Sequence, residues 1–184
     1  MLNSSRMPRT ALPGAGAYPK VDQMDSATIN SKILGYLGRA LSLEFSAGQH
    51  YLAQASLAKF RQESEFAEIF ITLANEEFQH ANQLTDRLVA QGALPAGTTL
   101  RPATPAYNIL EALRTCEDRE IALINLYYEA SQYCANFGAQ EDHALFSRLL
   151  EEEQAQLARV QTWLHEHQNK MRMGSPHQPM QTFL

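Results

Sequence analysis

Cysteine is scarce in this 184-residue chain: Cys116 and Cys134 stand alone, with no C-x-x-C pair. That excludes a disulfide framework and a cysteine-rich metal knuckle, and fits a reducing compartment. Long apolar runs are missing too. None approaches the roughly 18 residues of a membrane span, and the N-terminus has no continuous apolar stretch of the secretory kind, so the expectation is a cytoplasmic protein with no membrane partner. Basic clusters are absent: 15 Lys and Arg face 20 Asp and Glu, and the longest like-charge block is Glu151–Glu153. A nucleic-acid partner is not expected. Proline is confined to three places, residues 8–19, 95–105 and 176–179. Between them the chain is free to run as long helices.

What the chain has is helical periodicity, interrupted four times. Around Leu73–Leu84 the apolar stripe runs Phe66, Phe70, Leu73, then Glu77 and His80, then Leu84 and Leu88. Steps of three and four put all seven on one helix face, while Glu76 and Gln79 fall on the polar side. Glu44 interrupts Ile33, Leu37, Leu41 and Tyr51. Glu120 interrupts Ile109, Leu113, Cys116, Leu123 and Tyr127. Glu153 interrupts Phe146, Leu150, Leu157, Val160 and Leu164, with Gln156 one turn further on. The spacing repeats (77 − 44 = 33 and 153 − 120 = 33). A lone E-x-x-H match is common and reads as a solvated helix side. Four inward carboxylates in register are another matter, because each would cost several kcal/mol, roughly, if buried unpaired. A divalent metal is the simplest neutraliser, and Glu77 with His80 can hold one cation from a single helix face.

The rest of the chain arranges these stripes. Residues 1–24, with three prolines and two glycines, read as a flexible arm. Asp25 or Ser26 can cap a first helix reaching about Phe60. After a polar break at Arg61–Ser64, a second helix runs from about Glu65 to Gln91 and stops at Gly92. Gly92 to Tyr107 is the one long connection, and it could span about 50 Å when extended. A helix of about 27 residues is about 40 Å long, so the connection can cross the whole bundle and leave helices two and three parallel. Thr104-Pro105 or Asn108 starts a third helix ending near Phe137; a fourth runs from about Glu141 to His167. The expectation is an all-α four-helix bundle over residues 25–170, made of two hairpins joined by a long crossover, with a tail at 171–184. The inward carboxylates lie at matching distances from the two turns, so all four reach one level of the core.

A Glu on the first helix, E-x-x-H on the second, Glu on the third and a second E-x-x-H on the fourth is the pattern this set resembles. It is that of the ferritin-like di-iron carboxylate superfamily, with bacterioferritin the most similar family. The pattern maps to Glu44, to Glu77 with His80, to Glu120, and to Glu153 with Gln156, over about residues 29–168; Tyr51 also matches. Gln156 stands where the family has its second histidine, a neutral and weaker ligand. Animal ferritins also use Gln near one of their two iron positions. Phe78 stands where bacterioferritin has its haem-ligating Met, and the tail carries Pro176 and Pro179 where that family has a short closing helix.

The resemblance implies a ferroxidase that handles Fe(II) with oxygen or peroxide for iron storage or detoxification. It implies two Fe ions in a di-iron centre, no haem, and a homo-oligomer. Glu77 and Glu153 would bridge the irons, Glu44 and Glu120 would cap one each, and His80 and Gln156 would complete the two sets. Two other readings stay open: a di-metal oxygenase acting on an organic substrate, and an accessory or scaffold subunit with weak or no metal chemistry. Tyr51 is either a redox or hydrogen-bonding group or ordinary packing. Cys116 and Cys134 read as small buried thiols, and Trp163 as a packing anchor. His50, His143, His165, His167 and His177 lie outside any metal spacing with the inward carboxylates.

Overall fold

A computed structural model of the chain describes residues 21–96 and 99–174. They form four helices: α1 Val21–Phe60, α2 Ser64–Ala90, α3 Ile109–Asn136 and α4 Gln140–Gly174. No strand occurs among the described residues, and none of their helices is long and apolar enough to cross a membrane. α1 packs along α2 and α3 along α4; the hairpins approach most closely through α1 and α3, whereas the α2 and α4 backbones stand further apart and are bridged by side chains such as Arg87–Asp142 and Arg159–Glu76. This is the expected bundle.

Two helix ends differ from the sequence expectation. α1 begins at Val21, within the stretch read as an arm; the rest of that arm lies outside the described residues. The sequence from Val21 to Ser26 holds no proline or glycine that would stop a helix. α4 continues past His167 to Gly174, because nothing between Gln168 and Met173 stops it and Asn169 bonds back to His165 at 2.9 Å. The tail beyond 174 lies outside the described residues.

The hairpins are offset copies of one skeleton (120 − 44 = 153 − 77 = 76). Ile33, Leu37, Ala47, Phe70, Leu73 and Leu84 are buried; so are their counterparts Ile109, Leu113, Leu123, Phe146, Leu149 and Val160. On α4 the inner face centres on Leu149 rather than Leu150, which is only half-buried. The turns match as well. Glu63 N–H reaches Ala58 O at 2.9 Å around Gln62 at φ 64°, and Ala139 N–H reaches Cys134 O at 3.0 Å around Gly138 at φ 71°. Both close their helix with a residue in the left-handed region, where glycine is at ease and glutamine is not.

The crossover is tied down by α1 and α3. Ser46 Oγ accepts Arg101 N–H at 3.0 Å, Gln54 donates to Thr104 O at 2.7 Å, and Arg61 donates to Ala106 O. The buried His50 accepts Thr104 N–H at Nδ1 (3.3 Å) and lies 3.0 Å from Thr115 Oγ through Nε2. Crossover residues 101 to 106 therefore run in the direction of α1 residues 46 to 61. α3 then starts beside the end of α1, with Asn108 capping it through Glu111 N–H at 2.9 Å, and returns antiparallel to α1. Tyr36–Glu129 contact at 2.7 Å near the other end shows the same sense.

Candidate metal centre

Each inward residue is carried to the same level by its own helix. Glu44 comes from α1, Glu77 and His80 from α2, Glu120 from α3, and Glu153 and Gln156 from α4; all six are buried, the four carboxylates completely. One ligand atom from each of Glu44, Glu77, His80 and Glu153 lies within 4.8 Å of the others, a group that could hold a metal ion. His80 Nδ1 stands 2.7 Å from Glu153 Oε1, 3.5 Å from Glu44 Oε1 and 3.9 Å from Glu77 Oε2. Glu120 and Gln156 lie at the other side of the cluster, where the Gln156 amide donates to Glu77 Oε1 and, at 3.2 Å, to Glu120 Oε1.

Six buried polar atoms of this cluster have no hydrogen-bond partner: Glu44 Oε2, Glu77 Oε2, His80 Nδ1, Glu120 Oε2 and both oxygens of Glu153. His80 Nδ1 and Glu153 Oε1 are close without the alignment of a hydrogen bond, and both are atoms of the kind that ligate a metal. Such a concentration of unsatisfied groups is rare in a native core. It fits a cation, which each of these atoms can ligate.

Electrostatics points the same way. Burial, then the charges of Glu153 and Glu44, push the Glu77 carboxyl well above its usual range. Burial also raises Glu153 strongly and Glu120 in the same direction. For His80, burial works against the charged form, but its contacts with Glu153 and Glu44 outweigh it and lift the pKa to about 10. Without a metal the cluster holds protons to limit its own repulsion; a divalent cation would replace them.

Three neighbours have roles that helical period did not reveal. Tyr127 OH donates to Glu44 Oε1, and Tyr51 OH to Glu120 Oε1, so each tyrosine orients the carboxylate of the facing helix. For Tyr51 this favours the hydrogen-bonding reading, and both rings also fill the core. Glu152 contacts His80 Nε2 at 3.0 Å, which directs the Nε2 proton outward and leaves Nδ1 for the cluster. Tyr127 was visible only as a stripe residue, and Glu152 sits on a face that reads as polar.

The centre reaches solvent between α2 and α4, where the two helix backbones stand apart. A pocket of about 490 Å³ there is lined by His80 and Gln156 from within and by Glu76, Glu152 and Arg159 at its mouth. On the α1–α2 face Phe78 packs beside Phe45 and against Gly48; a Cβ on Gly48 would meet the Phe78 ring at 2.7 Å. His50 lies in the crossover tie, His143 bonds Ser131 and Ser147, and Cys116 and Cys134 are buried free thiols. Trp163 packs, half-buried, against the core. His177 lies outside the described residues.

Comparison with known proteins gives a consistent fold. The family model described as "Ferritin-like domain" matches residues 34–169. A bacterioferritin from Desulfovibrio desulfuricans is 25% identical over 127 residues, covering 69% of this chain and 71% of that relative. The structure of Rhodobacter capsulatus bacterioferritin, described as having a metal-free dinuclear site and haem iron, matches with a TM-score of 0.75. It is 22% identical, over 80% of this chain and 96% of the other.

Proposed function

Since the chain belongs to the ferritin-like domain family, we propose that its buried centre collects Fe(II) and oxidises it with oxygen or peroxide, for iron storage or detoxification. The observation that carries this reading is the set of six orphaned polar atoms on four carboxylates and one imidazole at a single level of the bundle. Glu77 and Glu153, between the two halves, are suited to bridge two irons; Glu44 with His80 and Glu120 with Gln156 are suited to complete one coordination set each. Two bound Fe(II) ions supply one electron each, enough with two protons to take oxygen to hydrogen peroxide, or hydrogen peroxide to two waters. The protein's own part is positional. Tyr127 and Tyr51 fix the outer carboxylates, Glu152 fixes the imidazole, and the α2–α4 pocket gives a hydrated cation a way in.

The test is anaerobic loading with Fe(II), followed by oxygen uptake and the appearance of Fe(III) absorbance. Stoichiometric uptake of iron and its oxidation faster than in free solution is the expected result. Iron that stays unbound, or binds and oxidises no faster than in buffer, would overturn the reading.

Haem is not part of the proposal. Phe78 offers no ligand atom, and its ring is committed to Gly48 and Phe45. Protein purified from haem-replete cells should show no stoichiometric Soret band. A homo-oligomer is part of it, supported by the exposed apolar side chains of Leu52, Phe60, Leu94 and Leu100.

A further inference from the structure

The two hairpins break their symmetry at two positions one turn apart on α4. In one direction the pattern is complete: Glu152 of α4 reaches His80 of α2. The counterpart of Glu152 is Glu76, which on the same pattern would reach residue 156. Instead, Glu76 is gripped by both arms of Arg159, at 3.0 and 2.5 Å. The counterpart of Arg159 is Gln83, an uncharged side chain. Gln156, with no carboxylate behind it, turns its amide inward onto Glu77 and Glu120. Imidazole is thus replaced by an amide, and the carboxylate that would have oriented it is capped by a guanidinium.

Arg159 lines the same mouth as His80 and Gln156. It carries a permanent charge. Glu120 and Glu77 both act on it, after Glu76 itself, to favour that charge, so its field reaches the Gln156 half of the centre. Among the described residues no comparable cation stands over the His80 half: Arg148 approaches Glu152 only to 3.8 Å, on the outer side.

We propose that Arg159 is a resident cation that sets the order of occupancy. It leaves the Glu44, Glu77, His80 and Glu153 half free to take a first divalent metal ion. It holds the Glu120 and Gln156 half against a second until it swings away from Glu76. The inference rests on the iron-pair reading and adds the rule by which the pair fills. The latch is light. Arg159 and Glu76 are partly exposed, at 43% and 29% of their side-chain surface, so their pairing contributes little to folding and opens readily. When Arg159 leaves, Glu76 is freed at the mouth, and an opposing positive charge becomes an attracting negative one.

Breaking the ion pair from its two ends should therefore act in opposite directions. Co(II) serves as a probe that does not react with oxygen in this way, with calorimetric titration for affinity and anomalous diffraction for position. Arg159→Gln should raise the affinity of the second ion about tenfold. Glu76→Gln should lower it by a similar factor, because the guanidinium remains and its partner is gone. The first ion should change by less than about twofold in both, and both variants should melt close to the parent, since neither partner is buried. Shifts of the second site in the same direction, or no shift in either variant, would overturn the role of Arg159 while leaving the iron-pair reading intact. A parent protein that binds no Co(II) at all would overturn both.

Discussion

In the first hairpin Glu44, Tyr51, Glu77 and His80 meet at mid-bundle; in the second, Glu120, Tyr127, Glu153 and Gln156 do so 76 positions later. Several buried apolar positions agree between the hairpins, among them Leu37 with Leu113, Phe70 with Phe146 and Leu73 with Leu149, and so do the turns, whereas Leu41 pairs with Glu117 and His50 with Leu126. Around the centre and at the turns the halves part at His80 against Gln156, at Gln83 against Arg159, and at Gln62 against Gly138. Packing explains the pattern. A core position is constrained by every side chain it touches, so many of the apolar ones are kept in both copies. These three differences sit in the metal centre, at the pocket mouth and in a solvent-facing turn, outside the apolar packing that the copies share. Shape is thus shared between the halves, and chemistry is apportioned by a handful of side chains.

The largest disruption of this comparison should come from removing the one strong nitrogen ligand. His80→Ala should lower first-ion affinity by about a hundredfold or more, since it removes a ligand of the better half and leaves only carboxylates there. Titration with Co(II) or anaerobic Fe(II) measures it. A residual affinity within a few-fold of the parent would mean that the halves do not differ as their ligands do.

Next in size is the response to pH. In the metal-free protein Glu77, Glu120 and Glu153 keep protons that the unfolded chain releases above a pKa of 4.5. The folded state binds more protons in that range, so its stability falls as pH rises. His80, raised from 6.5 to about 10, adds in the same sense: its contribution is complete below pH 6.5 and lost as pH climbs to about 10. A bound cation favours the ionised carboxylates and a neutral imidazole, and reverses the slope in acid. Melting temperatures with chelator should decline from about pH 5 to about pH 9, and those with saturating metal should decline on going the other way. Parallel curves would contradict the metal reading of the cluster.

Gln156→His tests the difference directly. An imidazole at 156 should strengthen the second site about tenfold, less than the loss at His80, because Arg159 still holds Glu76. Calorimetry of the second binding event gives the answer, and unchanged affinity would remove Gln156 as the cause of the inequality. The smallest effect concerns the turns. Gln62→Gly should add about 0.5–1 kcal/mol, because it relieves a side chain held at positive φ, and Gly138→Ala should cost a similar amount. Each would move the melting temperature by only a few degrees, roughly.

Much of this was legible in the chain itself. The stripes Ile33–Tyr51 and Phe66–Leu88 carry helix, inner face and interruption in one pattern, because burial of apolar surface enforces period and a buried carboxylate violates it. The repeat of 33 then fixes the common level. Less visible were contacts made between helices by side chains on faces that read as polar. Glu152 and Arg159 lie on α4 among Glu151, Gln154 and Ala155, and nothing in their period marks them. Their roles depend on which residue of α2 stands opposite, a relation set by docking of the hairpins. The same holds for His50, which fits no metal spacing and joins the crossover to α1 and α3. Helix ends at Val21 and Gly174 were missed because a helix needs no signal to continue, only the absence of one to stop.

His50 lies six residues from Glu44 on α1, and its imidazole is shifted the opposite way from that of His80. Burial, with the charge of Arg119 nearby, lowers its pKa to about 3, so its ring stays neutral wherever the protein works. Its Nδ1 receives the Thr104 N–H and its Nε2–H faces the Thr115 hydroxyl, a tautomer with no reason to change. The bundle thus carries one imidazole, His80, that titrates with the centre and one, His50, that does not. A cation could be held beside Glu44 while the fastening of crossover to hairpins keeps the same charge and the same bonds. The strap that fastens the bundle is electrically insulated from the centre, so on the proposed function the binding and release of iron need not loosen it.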